Sequence, residues 1–176
     1  MKPRIATVWL DGCSGCHMSL LDMDQRLLEL ADKIELVYSP LVDAKEFPEN
    51  VDVTLVEGSV SNEENLEQIR RIRDRTKILV SLGDCAVTGN VPSMRNPLSK
   101  DQVIQSTYQG NPNPGKPSQF RDVPTLLQTV TPIHSVVKVD VFVPGCPPSA
   151  DVIHYTITQL LEGRVPDLTT LTRFGK

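Results

Sequence analysis

Short runs of β-branched and apolar residues alternate along this chain with stretches of helical period, and that alternation limits its possible folds more than any other feature. Ile5 to Leu10 is a β-rich run, and Leu20, Met23, Leu27, Leu28 and Ala31 recur at helical spacing behind it. Ile34 to Tyr38, Val51 to Val56, Lys77 to Leu82 and Val136 to Val143 read as further strands. Ser61, followed three residues later by Glu64, has the form of a capping box that opens a helix with Leu66, Ile69 and Ile72 on one face. Glu63, Glu64 and Glu67 stand early in that helix and Arg70, Arg71, Arg73 and Arg75 late. Both ends then match the helix dipole, so the arginines read as a solvated helix end rather than a phosphate clamp. A last helix begins after Pro148 with Ser149 as its cap, carries Ile153, Ile157, Leu160 and Leu161, and stops at Gly163.

The order is β-α-β-β-α-β, an interruption, then β-α. It predicts an α/β fold, a flavodoxin-like doubly wound parallel sheet of strand order 2-1-3-4-5 with helices on both faces, and a single domain over residues 1–176. The interruption, about 89–121, holds Pro92, Pro97, Pro112, Pro114 and Pro117 among Asn, Gln and Ser residues, so it is no core element. A Pro-rich insertion of this length is usually functional or disordered. Because it joins directly to the loop of Cys85, it reads as a partner-binding arm.

The net charge of -4, with Lys and Arg scattered or paired with acids, leaves no basic stripe for nucleic acid. No apolar run approaches the roughly 20 residues of a membrane span, and Met1 to Leu10 lacks the form of a secretory signal. A cytoplasmic location follows as the expectation. In that reducing compartment the four cysteines, Cys13, Cys16, Cys85 and Cys146, stay as thiols, which serve as ligands, as catalysts or as small buried hydrophobes.

All four cysteines follow a strand end. Cys13 and Cys16 lie in D-G-C-S-G-C after the first strand, Cys85 in G-D-C-A after the fourth, and Cys146 in P-G-C-P-P after the fifth. Loops after parallel strands emerge together at the carboxyl edge of such a sheet, so the sulfurs can meet there. Gly12 and Gly15 let the first loop turn tightly and aim amides at sulfur, Gly83 and Gly145 prepare the other two, and Pro147 with Pro148 stiffens the last. A thioredoxin-type pair would need neither Cys85 nor Cys146, and structural zinc prefers two short-range pairs. A dinucleotide loop would require G-x-G-x-x-G. An iron–sulfur cluster is favoured, with zinc and thiol chemistry as alternatives.

Glu57 ends the third strand in V-E-G-S at the same edge. It is either a carboxylate capping the following turn or hydrogen-bonded to nearby amides, or an acid that handles protons or fixes a partner beside the metal. His17 is placed to hydrogen-bond near the site, His154 reads as helix surface, and Trp9 as core.

D-G-C-S-G-C, V-E-G-S, G-D-C-A-x-x-G and P-G-C-P-P together resemble, in order and spacing, the small subunits of nickel–iron hydrogenases over about Ile5 to Leu161. The resemblance implies that Cys13, Cys16, Cys85 and Cys146 bind the proximal [4Fe-4S] cluster and that the Ni-Fe site belongs to a separate large subunit. Related subunits of respiratory complex I, quinone-linked, carry adjacent cysteines where Ser14 and Gly15 intervene here. The signal-free, single-cluster pattern is similar to cytosolic, bidirectional, NAD(P)-linked hydrogenases, in which diaphorase subunits with flavin and further iron–sulfur clusters carry the NAD(P) site. An FMN in this subunit is compatible with the fold, although cysteines occupy the first-strand loop that would cradle its phosphate. The readings outside this family are a zinc-stabilised interaction module and a complex I-like iron–sulfur subunit.

Overall fold

The computed structural model describes residues 2–109 and 124–175. Its strands are β1 (Arg4–Trp9), β2 (Glu35–Tyr38), β3 (Val51–Glu57), β4 (Val60–Asn62), β5 (Thr76–Leu82), β6 (Leu126–Thr131) and β7 (Val141–Val143). The helices are α1 (Gly15–Leu21), α2 (Gln25–Ala31), α3 (Glu63–Arg75), α4 (Gly83–Thr88), α5 (Lys100–Ile104) and α6 (Ala150–Leu161). Strands β2-β1-β3-β5-β7 form one sheet in that order, and every pairing in it is parallel. Numbered along the sheet alone, this is the predicted order 2-1-3-4-5.

Side chains alternate between two cores, as the two-residue period of a strand requires. Ile5, Leu55, Val80 and Leu82 face Met23, Leu30, Ile153, Ile157 and Leu160 on one side. Ala6, Val8, Val56 and Leu79 face Ile69, Ile72, Ala86 and Ile133 on the other. Each fully buried Ile or Leu contributes about 1.5–3 kcal/mol, so helices bind both faces and leave only the edges of the sheet for polar chemistry. Ser149 caps α6 by accepting the Val152 N–H, as predicted.

Several expectations are corrected. The first helix is two short helices, because the chain turns at Asp24 (φ 49°), and Leu28 is 71% exposed rather than packed. Trp9 is no core residue: it is 46% exposed, and its indole N–H donates to Gly12 O at 3.2 Å. The cap of α3 is Asn62, whose side chain accepts the Asn65 N–H, since Ser61 is taken up by β4. The run Val136–Val143 supplies only the three strand residues Val141–Val143, with a 3-10 turn at Ile133–Ser135 before it.

A second, two-stranded antiparallel sheet, β4 with β6, has no counterpart in the sequence reading. It anchors the described half of the insertion. Asn96 Nδ2 donates to Val130 O at 2.9 Å and Asn96 Oδ1 accepts the Val130 N–H at 2.8 Å, so one side-chain amide extends the sheet like a strand residue. Arg95 donates to Ser61 O and Leu127 O. Residues 89–109 thus carry turns and α5 stitched to that sheet, while residues 110–121 of the insertion lie outside the described residues.

Candidate metal centre

Three loops at the carboxyl edge of the sheet build the centre. The first follows β1, where Asp11 and Ser59 exchange backbone hydrogen bonds (3.1 and 2.7 Å) and clip this loop to the turn after β3. Gly58 must be glycine at that clip: its φ is 87°, and a Cβ there would sit 2.8 Å from the Asp11 backbone. Beyond the clip comes exposed Cys13, then Ser14 with φ 66° and ψ 12°, then α1 with Cys16 in its first turn. The left-handed residue of D-G-C-S-G-C is therefore Ser14; Gly12 and Gly15, expected to make the turn, contribute closeness. A Cβ on Gly15 would lie 3.2 Å from Cys13 Sγ, and one on Gly12 3.3 Å from Gly58 Cα.

The second loop follows β5. Gly83 (φ 80°) passes so near Cys16 Sγ that any Cβ would collide with it, and Cys85 stands in α4 two residues on. The third follows β7 through Gly145 to Cys146, and Asn90 Nδ2 lies 3.5 Å from Cys146 Sγ as a donor to sulfur. Asp84 ties these two loops together. Its backbone N–H donates to Gly145 O at 2.8 Å, and its Oδ1 accepts the Gly145 N–H at 2.7 Å.

All four predicted cysteines thus share one neighbourhood. Burial, foremost, pushes the Cys16 thiol well above its usual range, and Glu57, Cys85, Cys13 and Cys146 add to the effect. Burial also raises Cys85, with Cys13, Cys146 and Glu57 reinforcing it against the hydrogen bond from the Val91 N–H. Thiols that oppose one another's ionisation suit a cationic guest, whose charge permits all of them to become thiolates. Among the described residues, no group of three or more His, Cys, Asp or Glu side chains is arranged to hold one ion. Four thiols gathered at one edge are a donor set of the kind an iron–sulfur cluster takes.

Glu57, 2% exposed, meets His17 here. Its Oε2 accepts the His17 backbone N–H and faces His17 Nδ1, both at 2.6 Å. His17 Nε2 lies 3.0 Å from the Thr7 hydroxyl, which donates to Ser39 Oγ at 2.9 Å. Glu57 therefore does not cap the turn after β3 but holds a backbone amide in the first turn of α1 together with a buried imidazole, an arrangement open to both the structural and the proton-handling reading. His134 stacks edge-on against Phe142 and His154 is half-buried on α6, both outside the centre.

Asp84 and Asn90 belong to the centre without standing out in the sequence motifs. An acid directly before a cysteine, inside an apolar strand-to-helix turn that offers no Lys or Arg, is the signal that could have found the first. Asn90 carries no comparable signal, because its contact depends on how two distant loops meet.

Residues 13–160 match the family described as NADH ubiquinone oxidoreductase, 20 Kd subunit. The NAD-reducing hydrogenase HoxS subunit delta of Cupriavidus necator is 42% identical over 172 residues, covering 95% of this chain and 82% of that one. A protein of the F420-non-reducing hydrogenase of Methanocaldococcus jannaschii is 40% identical over 171 residues, and there the chain spans 59% of the relative's length. A crystal structure of an NAD+-reducing [NiFe]-hydrogenase in its H2-reduced state superposes with a TM-score of 0.90 at 41% identity, covering 99% of both chains. A Dm. baculatum [NiFeSe]-hydrogenase, 20% identical with a TM-score of 0.62 over 99% of this chain and 70% of that one, shares the fold.

Proposed function

The chain belongs to the NADH ubiquinone oxidoreductase 20 Kd subunit family, as a hydrogenase small-subunit-like member, and on that premise we propose that it carries electrons through one proximal [4Fe-4S] cluster held by Cys13, Cys16, Cys85 and Cys146. The observation that carries this reading is the convergence of four thiols from three loops at one sheet edge, each loop fixed by a backbone clip or a collision-limited glycine. When bound, the cluster supplies one-electron storage and transfer. The protein's own part is to hold and tune it. Partly buried Cys16 and Cys85 would hold it from the inner side and exposed Cys13 and Cys146 from the outer side, and the Asn90 amide donates to Cys146 sulfur, a bond of the kind that would tune its potential.

The outward pair favours a position between partners: a large subunit bearing the Ni-Fe site on one side and diaphorase subunits with the NAD(P) site on the other. The net reaction of that assembly is H2 + NAD(P)+ = H+ + NAD(P)H, in the cytoplasm. No helix among the described residues is long and apolar enough to cross a membrane. Trp9, Met18 and Leu21, exposed beside the first ligand loop, and Val91 and Met94 beyond the second, give the centre an apolar surround suited to a covering partner. Glu57, buried beneath that surface and held by His17, is an acid that would handle a proton or orient a partner group there.

Analysis of anaerobically purified protein tests the reading. About four iron and four sulfide per chain are expected, with no stoichiometric zinc. One zinc and no acid-labile sulfide would leave a zinc-stabilised interaction module in its place.

A further inference from the structure

After α6 the chain runs back from Arg164 to Gly175 without a helix or strand, and most of it is exposed. Segments of this kind usually leave the surface unless something ties them down. Here four ties exist. Pro166 is buried, Leu168 packs against the first core, the Thr172 hydroxyl donates to Pro144 O, and the Gly175 N–H donates to Asp84 Oδ2 at 2.8 Å. The last two grip the two loops that present Cys146 and Cys85.

Asp84 is the junction. It is 4% exposed, and among the described residues no Lys, Arg or His forms an ion pair with it. Its carboxylate is spent wholly on backbone: Oδ1 accepts from Gly145, next to Cys146, and Oδ2 from Gly175. A buried carboxylate without a cation is costly, and it persists where N–H donors satisfy both oxygens. One side chain therefore couples the Cys85 loop, the Cys146 loop and the segment after α6.

We infer that Asp84 is a positioning residue that locks the Cys85 and Cys146 loops together and fastens residues 164–175 over them as a strap that slows release of the cluster. The inference rests on the cluster reading given above. It assigns Asp84 no contact with the reacting centre; Asp84 acts through Gly145 and Gly175.

The test uses the assembled complex purified without oxygen, and three measurements: bleaching of the visible absorbance in an iron(II) chelator, the electron paramagnetic resonance of the reduced cluster, and amide exchange over residues 164–175. Asp84→Asn keeps the shape but offers one acceptor oxygen, and turns an NH2 toward one of the two glycine amides. Release roughly ten-fold faster is expected, the consequence of losing one charge-assisted hydrogen bond. A broadened resonance and faster exchange in the strap should accompany it. Gly175→Pro removes the strap's donor and, because proline cannot take the φ of 67° found there, turns the end of the strap away from Asp84. It should free the strap and raise release a few-fold while leaving the resonance unchanged, and it decides the matter if Asp84→Asn does not fold. Parental release rates in both variants, with strap exchange unchanged, would overturn the inference. Parent protein without iron or sulfide would instead remove the cluster reading, and exchange at the Gly145 and Gly175 amides would still report the lock.

Discussion

The two edges of the parallel sheet treat charge in opposite ways. At the amino edge Asp52 accepts from the Arg4 backbone N–H at 2.8 Å and from Lys77 Nζ at 2.6 Å, across three neighbouring strands. Asp140 takes the Leu79 N–H and Arg73, and Glu49 meets Arg75. These carboxylates have cationic partners and stand partly in water. At the carboxyl edge Glu57 and Asp84 are buried with an imidazole or backbone amides for company, beside thiols whose ionisation burial opposes. The amino edge is arranged for stability at ordinary pH. The carboxyl edge holds buried acids and left-handed loop residues that a stable fold alone does not require, the pattern of a functional site.

The sharpest way to break this contrast is to remove one ligand. Cys85→Ala takes away a thiol supplied far in sequence from the Cys13 and Cys16 loop, so the clip between Asp11 and Ser59 should persist while iron and sulfide are lost. In the assembled complex, hydrogen-driven NAD(P)+ reduction should fall to background, whereas NAD(P)H oxidation by an artificial acceptor should continue. A cluster-free complex that still couples hydrogen to NAD(P) would place the electron path elsewhere. Gly83→Ala is the next largest change. It adds a Cβ that collides with Cys16 Sγ at φ 80°, and about 1–3 kcal/mol of lost stability is expected, read as a lower Tm together with reduced iron content. Normal iron and Tm in that variant would show that the second and first loops are less tightly coupled than the geometry demands.

Glu57→Gln sharpens the contrast on its chemical side. The amide retains an acceptor for the His17 N–H but cannot carry a proton, so iron content should stay normal and stability fall by only about 1 kcal/mol. Hydrogen turnover should drop by roughly ten-fold or more if Glu57 handles a proton, in line with the usual worth of a positioned acid or base. Unchanged turnover would make the Glu57–His17 pair a fastening for α1.

Much of this was legible in the sequence, and the part that was not has a common cause. Apolar period locates the parallel strands and their order because buried strands have little freedom to differ from it, and the cysteines are found because each follows such a strand. The pairing of β4 with β6 escapes, since three residues at 60–62 meet a partner beyond the insertion, and no local pattern reports a contact of that range. Ser14 in place of glycine, Trp9 in solvent and Asn62 in place of Ser61 are local choices settled by tertiary fit. Asp84 announces itself only as an acid beside a cysteine, while the segment it holds and the contact of Asn90 depend on distant loops meeting and are visible only in the folded chain.

The smallest expected effect belongs to the amino edge. The Arg4 N–H, foremost, and then Lys77 hold the Asp52 carboxyl below its usual range. Partial burial raises Asp140, but the Leu79 N–H and Arg73 outweigh it and leave that carboxyl low as well. A carboxyl whose folded pKa lies below its unfolded value of about 3.9 adds stability above that value and loses it as pH falls through the folded pKa. Asp52→Asn should therefore cost something at pH 6 to 7 and nothing once the pH is low enough to protonate the folded acid. Its side chain is 31% exposed and Lys77 72%, so the difference in urea midpoint at neutral pH should correspond to less than about 1 kcal/mol. Iron content should not move at any pH where the parent keeps it. A variant that lost its cluster on neutralising Asp52 would mean that the two edges are coupled through β3 and β5, and the division of labour between them would fail.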